Sequence, residues 1–293
     1  GSHLSFEGLM LEMGDDPFSF RKHQSDAVWR GLLTGRGLYA HEVGTGKTFT
    51  MGALAIESRR LGLAQKPLLF AHNANSSSVA ADIQMAYPGA KILYVNNLNK
   101  ETRERTLSQI ALDEWDLIVI PHSLVDRLAL RPETLETLLQ EEIEALEFAA
   151  QEAAAEDGID IDFNEEVDVK KIRNATAKEL VKERQRLRER IAKAEQRTKN
   201  QATVWFEDMG IDMLMVDEAH IFKKQPISTR QQLKGLNKAG SNRGVLMQTL
   251  TRFVSDNNNG RGVHLFTGTP ITNTLNEVFN LHRLIMPDGL SPD

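Results

Sequence analysis

The chain contains 293 residues, of which 41% are hydrophobic and 26% are charged, a composition typical of a soluble globular protein with enough apolar side chains for a core. It has no cysteine, which excludes disulfides and zinc sites built on thiolates and fits a reducing cytoplasm. Its net charge of −6 argues against a free-standing nucleic-acid-binding protein, which is usually basic, so any nucleic-acid contact must be local or shared with other parts of the protein.

Neither the N-terminus nor the hydropathy of the chain indicates export or a membrane anchor. No apolar run approaches the roughly 20 residues that span a bilayer, and no secretory signal opens the chain. The leading Gly1-Ser2-His3 is typical of the remnant of an expression tag. We therefore expect a cytoplasmic protein without a membrane contact.

Six short apolar runs predict the strands of a central sheet. Their brevity and continuous apolar character are typical of strands covered on both faces. They are Leu38–Ala40, Leu68–Ala71, Ile92–Val95, Leu117–Ile120, Met213–Val216 and Val263–Thr267. Helical patterns lie around and between them, at Phe20–Trp29, Thr48–Arg60 and Leu275–Leu281. Strands that alternate with helices predict an α/β fold with a parallel sheet and helices on both sides.

One segment, from about Pro132 to Asn200, breaks this alternation because it contains no strand pattern. Two apolar stripes at helical spacing predict two helices, separated by a polar stretch at Asp157–Asp168. The stripes are Leu135, Leu138, Leu139, Leu146 and Ala150, and then Leu180, Leu187, Ile191 and Ala194. The first helix is acidic and the second is basic, which favours an antiparallel helical hairpin. We interpret its charged surface as a solvated face, with a DNA guide or partner arm on the basic helix as the alternative.

The segment from His41 to Thr48 has the composition and the setting of a phosphate-binding loop, because it follows a predicted strand and opens a predicted helix. Glycines at 44 and 46 let backbone N–H groups approach phosphate oxygens, and the helix N-terminus adds positive potential. Lys47 would reach the β- and γ-phosphates of ATP, and the Thr48 hydroxyl would ligate Mg²⁺. The motif departs from the general pattern at its first position, where His41 replaces glycine. The candidate nucleotide-binding residues of this loop are Val43, Gly44, Thr45, Gly46, Lys47 and Thr48.

Two acidic residues follow the apolar strand Met213–Val216, namely Asp217 and Glu218. Carboxylates at the carboxyl end of such a strand point into the crevice where nucleotides bind. Asp217 would hold Mg²⁺, and Glu218 would orient and deprotonate the attacking water. Lys47, Asp217 and Glu218 are therefore the candidate catalytic residues.

Two further elements stand at either end of the chain. Gln24, with Arg21 beside it, lies about twenty residues before the phosphate loop, and a glutamine amide can both donate to and accept from the edge of adenine. Thr267-Gly268-Thr269-Pro270 ends the last strand, where its simplest interpretation is a strand-to-helix turn.

In this order, the elements resemble those of superfamily-2 helicases, most closely the Snf2-like branch. His41–Thr48 is similar to motif I, Asp217–His220 to motif II, and Thr267–Pro270 to motif III, while Gln24 falls where that family reads adenine. Pro67–His72, followed by Asn73–Ser78, lies at the position of motif Ia, and Asp116–Ser123 is similar to motif Ib. The resemblance implies a RecA-like lobe in two parts, 4–131 and 201–293, with the hairpin inserted at 132–200.

The resemblance also implies what the residues do. The lobe would bind ATP and Mg²⁺ and serve a DNA-dependent ATPase or translocase. Thr267, Gly268 and Thr269 would couple the nucleotide state to movement, and candidates for contact with the DNA backbone are Ser76, Ser77, His122, Ser123 and Lys223. A second RecA-like lobe would supply an arginine finger worth about 10³–10⁵ in rate, so we expect the chain alone to hydrolyse ATP negligibly.

A narrower likeness concerns the phrases around His41–Thr48, Trp205–His220 and Gly268–Asn273. They are similar to the helicase part of bacterial and phage proteins that join a Snf2-like motor to a DNA methyltransferase, some of which act in antirestriction. A methyltransferase domain elsewhere in the protein is thus an expected partner. Two other interpretations stay open: a P-loop ATPase that does not act on nucleic acid, and a non-catalytic docking module.

Overall fold

The structure is a computed structural model that describes residues 6, 12–13, 16–17, 19–99, 101–165, 167–200, 204–222, 242–271 and 276–286. Two short strands near the start, β1 (Glu12–Met13) and β2 (Asp16–Pro17), pair antiparallel. The other described strands are β3 (Arg36–Ala40), β4 (Pro67–Ala71), β5 (Ile92–Tyr94), β6 (Leu117–Pro121), β7 (Met213–Val216) and β8 (Val263–Thr267).

These six strands form one sheet in the order β3-β8-β7-β4-β6-β5, and every neighbouring pair is parallel. All six predicted strands are confirmed: β7 and β8 have the predicted ends, and each of the other four differs by one or two residues at one end. The eight helices of the described chain are α1 (Lys22–Thr34), α2 (Lys47–Arg60), α3 (Ser76–Ala86), α4 (Arg103–Leu112), α5 (Pro132–Ala155), α6 (Ala175–Asn200), α7 (Asn242–Asn257) and α8 (Asn276–Ile285). The described residues also form three 3₁₀ segments, at His122–Arg127, Phe206–Met209 and Ala219–Phe222.

Helices cover both faces of the sheet, because successive side chains of a strand point to opposite sides. The layer that includes α1, α2 and α3 receives Leu69, Val119, Met213, Met215 and Phe266. The layer that includes α4, α5, α7 and α8 receives Leu68, Phe70, Ile118, Ile120, Leu214, Val216 and Leu265. This arrangement is the RecA-like α/β fold that the sequence predicts.

The two helices of the predicted insertion, α5 and α6, pack on each other along their apolar stripes, whose residues are all buried. Arg184 of α6 lies 2.7 Å from Glu147 of α5, and Arg188 lies 3.9 Å from Glu136. As residue numbers rise along α6 they fall along α5, so the hairpin is antiparallel.

The hairpin also contacts the rest of the lobe through a largely buried carboxylate. Glu142 of α5 lies 3.1 Å from Arg283 of α8 and accepts a hydrogen bond from Gln248 of α7. Burial raises the pKa of Glu142, and the arginine opposes that shift. None of the helices in the described part of the chain has the length and apolar character that crossing a bilayer requires.

Candidate nucleotide site

The loop between β3 and α2 turns at two glycines, Gly44 and Gly46, whose φ angles of +82° and +81° lie in the left-handed region. Glycine adopts this region readily, whereas other residues are strained there. The loop leads directly into α2, which begins at Lys47, one residue earlier than predicted. Val43, 85% exposed, and Gly44 face solvent, while Thr45 donates its hydroxyl hydrogen to the Glu42 carbonyl. The amides of residues 44–48 thus lie at the N-terminus of a helix, where anions bind.

The Lys47 ammonium is held inside this site by two oxygens. It donates to the His41 carbonyl at 3.2 Å and lies 3.4 Å from Glu218 Oε1. Its side chain is only slightly exposed. The phosphate loop and the acidic segment after β7, far apart in sequence, therefore meet at the carboxyl edge of the sheet.

Asp217 is buried at this edge, with 4% of its surface exposed. Among the described residues, no group donates a hydrogen bond to its Oδ1 atom. Burial, and after it the neighbouring charge of Glu218, raise the pKa of Asp217 to about 6. A buried carboxylate oxygen without a donor fits a cation as its missing partner.

In the described chain, no three His, Asp or Glu side chains are grouped closely enough to hold a metal by themselves. A Mg²⁺ ion at Asp217 would thus take its other ligands from phosphate oxygens and water, as Mg²⁺ does at nucleotide sites. Thr48, in the first turn of α2, is the hydroxyl that the sequence assigns to it.

Glu218 adopts a φ of +46°, an uncommon conformation for a residue with a side chain. Its carboxylate lies between two cationic or polar partners, Lys47 on one side and His220 Nδ1 at 3.3 Å on the other. Backbone strain of this kind persists where the surroundings fix the conformation, and it clusters at functional sites.

A hydrogen bond joins His220 to the end of the last strand. Its Nδ1 atom lies 3.0 Å from Thr267 Oγ1, and the same hydroxyl oxygen accepts from the Thr269 amide at 3.1 Å. Gly268, between them, is close to the phosphate loop, because a Cβ at this position would lie 3.4 Å from Lys47 Nζ. The Thr267–Thr269 turn thus contacts the acidic segment through His220 and lies close to the phosphate loop. His220 belongs to the recognised Asp217–His220 motif, but no sequence pattern predicts its contact with Thr267.

Gln24 is 3% exposed, and both ends of its amide are bound to the protein. Its Oε1 accepts from the Arg21 backbone N–H at 2.8 Å, and its Nε2 donates to the Gly46 carbonyl at 3.3 Å. The neighbouring His23 donates from Nε2 to the Thr45 carbonyl at 3.1 Å. In this structure, α1 therefore braces the phosphate loop, and contact between Gln24 and adenine would require at least one of these bonds to open.

Alanine at Gly46 is expected to weaken Mg·ATP binding about tenfold more than alanine at Gly44. Both changes place a side chain at a left-handed φ, which costs roughly 1–2 kcal/mol. Only at Gly46 would the new Cβ overlap Gln24 Nε2, and the displaced bonds are each worth about 1 kcal/mol. At Gly44 no described atom beyond the chain neighbours lies within 4 Å. Titration of both folded variants with Mg·ATP measures the difference, and equal losses would contradict the brace.

The candidate nucleic-acid residues fall into two groups. Ser77 and Ser123 are exposed, but Ser76 and His122 are 2% and 1% exposed, so their side chains offer no surface to a phosphate. Ser76 is instead hydrogen-bonded to Tyr94, 3.0 Å away. Lys223 lies outside the described residues.

Asn73, which lies in the motif Ia segment but was not among the candidate contact residues, connects the two exposed candidate segments. Its Oδ1 atom accepts from the Ser123 backbone N–H at 2.8 Å. Its position in the motif Ia segment, two residues after β4, was the available signal, and the partner of its side chain becomes evident only in three dimensions.

No curated protein sequence matches the chain. Among solved structures, the chain is similar to a Sulfolobus solfataricus SWI2/SNF2 ATPase core in complex with dsDNA, with 12% sequence identity and a TM-score of 0.46. The similarity covers 95% of this chain and 38% of that one, so the chain spans well under half the length of that structure. A family model described as a probable helicase domain matches residues 29–293. Since that match covers nearly the whole chain, the protein belongs to the family of probable helicase domains.

Proposed function

We propose that the chain is the ATP-binding lobe of a Snf2-like, DNA-dependent ATPase that moves along DNA. The observation that carries this proposal is the meeting of Lys47, Asp217 and Glu218 at one edge of the sheet, with Lys47 Nζ 3.4 Å from Glu218 Oε1. The order of the motifs supports the Snf2-like branch. ATP and Mg²⁺ are the proposed substrate and cofactor.

In this proposal the phosphates of ATP bind the amides of residues 44–48. The incoming phosphate oxygens compete with Glu218 and the His41 carbonyl for the Lys47 ammonium. A Mg²⁺ ion held by Asp217 and Thr48 would neutralise charge that develops on the phosphates. Once Lys47 moves to phosphate, the Glu218 carboxylate is free to accept a proton from the attacking water. His220, 3.3 Å away, holds that carboxylate in place.

The turn that contains Thr267 and Thr269 would transmit the nucleotide state to movement, because His220 links it to Glu218. A second RecA-like lobe would close over the nucleotide and supply an arginine finger. DNA would contact this lobe through the Ser77 and Ser123 segments, and Lys223 is kept as a further candidate. Contacts of this type are largely independent of base sequence and sensitive to salt.

The finer assignments are also proposals. The lobe would comprise residues 4–131 and 201–293, with 132–200 as an insertion. The protein would act in the cytoplasm of a bacterial cell, encoded by the bacterium or by a phage. A methyltransferase domain in the same protein and a role in antirestriction rest on the narrower likeness of the motif phrases alone.

ATP hydrolysis by the full-length protein, measured with and without duplex DNA, tests the proposal. We expect DNA to raise the turnover number, the stimulation to weaken as salt increases, and Lys47→Ala to abolish both rates. Hydrolysis that DNA and RNA leave unchanged would favour a P-loop ATPase with another task. No nucleotide binding by the wild-type protein would favour a docking module.

A further inference from the structure

His122 is a buried side chain that joins the candidate DNA-contact segment to the nucleotide site. It follows β6 directly and opens the 3₁₀ segment His122–Arg127. Its Nε2 donates to the Phe70 carbonyl at 3.3 Å. The same carbonyl accepts from the Asp217 backbone N–H at 2.9 Å. One oxygen of β4 therefore fixes both the imidazole and the backbone of the proposed metal-binding residue.

The imidazole also packs on the segment that follows Glu218. Its ring lies edge-on to Phe222, with centroids 4.9 Å apart and an interplanar angle of 71°. Phe222 is fully buried and ends the 3₁₀ segment Ala219–Phe222, which contains His220. Because close-packed interiors do not deform freely, a displacement of the His122 ring would also displace Phe222 and the segment that joins it to Glu218.

On its other side, His122 is one residue from the exposed surface. The next residue, Ser123, has its backbone N–H bound to Asn73 Oδ1 at 2.8 Å. Asn73 lies just before α3, whose first turn holds the exposed Ser77. His72, the residue before Asn73, also lies near His122, with the two ring centroids 6.0 Å apart. Both exposed serine segments therefore converge on the same imidazole.

We propose that His122 is a positioning residue that transmits DNA contact at the Ser77 and Ser123 segments to Asp217 and Glu218. This inference rests on the proposed function, and it identifies the residue that would connect the DNA-contact segments with the nucleotide site. It replaces the sequence-based role of His122 as a direct backbone contact, which its burial disfavours.

The role is geometric rather than acid–base. Burial lowers the pKa of His122 to about 4, so the ring is neutral near pH 7. Since a carbonyl can only accept, the proton resides on Nε2. Among the described residues, Nδ1 has no hydrogen-bond partner, so the link depends on the Nε2 hydrogen bond and on ring packing.

Three variants of the full-length protein test the inference. His122→Phe keeps an aromatic ring against Phe222 but removes the donor to Phe70. His122→Gln keeps an N–H group that can reach the same carbonyl. His264→Phe is the matched control, because His264 is equally buried and hydrogen-bonded to Tyr39 at 3.0 Å, but lies away from the carboxyl edge of the sheet.

The readout is the ratio of the DNA-stimulated to the basal rate of ATP hydrolysis, together with DNA affinity and melting temperature. His122→Phe is expected to lower this ratio about 2- to 30-fold, the range typical of residues that modulate coupling. His122→Gln should restore part of the ratio, and His264→Phe should keep it.

Two results would overturn the inference. One is a His122→Phe protein in which both rates fall together and the ratio is unchanged, as a purely structural role predicts. The other is a folded His122→Phe protein with the wild-type ratio. If DNA does not stimulate the wild-type protein, the proposed function itself fails. If DNA stimulates the wild type and the His122 variants equally, this inference alone fails.

Discussion

Replacing Glu218 by glutamine is expected to slow ATP hydrolysis by the full-length protein about 10²–10⁴-fold, the usual contribution of a positioned general base. Glutamine has nearly the same shape but cannot accept the proton of the attacking water. The carboxylate also engages Lys47 at 3.4 Å before nucleotide arrives, so its loss leaves the ammonium more available to phosphate. The affinity for Mg·ATP should therefore stay the same or increase while turnover collapses.

Single-turnover hydrolysis and equilibrium Mg·ATP binding separate the two effects. Glu114→Gln is a suitable control, because Glu114 is a largely exposed partner of Arg59 away from the loop. That variant should match the wild-type turnover and affinity. A Glu218→Gln protein that hydrolyses ATP at the wild-type rate would remove Glu218 from the chemistry, and one that loses affinity in parallel with rate would make its role structural.

Much of the fold could be predicted because the sheet is buried on both faces. Continuous apolar runs such as Leu117–Ile120 and Met213–Val216 leave little choice except a covered strand. The strand order could not be read in the same way. It brings β8, the last strand, between β3 and β7, and this pairing depends on contacts between distant segments. Helix α7 also received no prediction of its own, because its apolar residues are interleaved with polar ones.

The candidate nucleotide site could be predicted more completely than the proposed nucleic-acid surface. Lys47 and Asp217 belong to short motifs in which backbone geometry and charge impose the residue type. No such constraint determines the orientation of Ser76 and His122, because a polar side chain just after a strand can point outward or inward. Their burial depends on Tyr94 and Phe70, partners that only the folded chain reveals.

Gln24 illustrates a different limit. Its residue type and position predict a contact with adenine, but in this structure its amide binds Arg21 and Gly46. Both functions need an amide that donates and accepts at once, so the sequence pattern alone cannot separate them. The adenine contact therefore stays a prediction, and the brace is the observed geometry.

Replacing Asp217 by asparagine is expected to stabilise the fold near pH 8 by up to about 3 kcal/mol, while it weakens Mg²⁺-dependent nucleotide binding. Burial and Glu218 raise the pKa of Asp217 from 3.8 to about 6, and each unit corresponds to about 1.4 kcal/mol. Because the folded-state pKa exceeds the unfolded value, the stability that the protonated form contributes is fully present below pH 3.8 and is lost as pH rises through about 6. Asparagine keeps the shape without the charge, so it avoids this loss.

The stability advantage of Asp217→Asn should therefore grow by about 1 kcal/mol between pH 5 and pH 8. Melting curves at both pH values measure it, with an expected rise of roughly 2–4 °C for each kcal/mol in a chain of this size. Asp113→Asn, at an exposed position, should show no such trend.

Mg²⁺ with ATP should stabilise the wild-type protein more than the Asp217→Asn protein, because ligands stabilise only the state that binds them. If Asp217→Asn melted below the wild type at pH 8 without added Mg²⁺, the carboxylate would already have a favourable partner in the folded chain. It would then not be the open cation ligand on which the proposed nucleotide site depends.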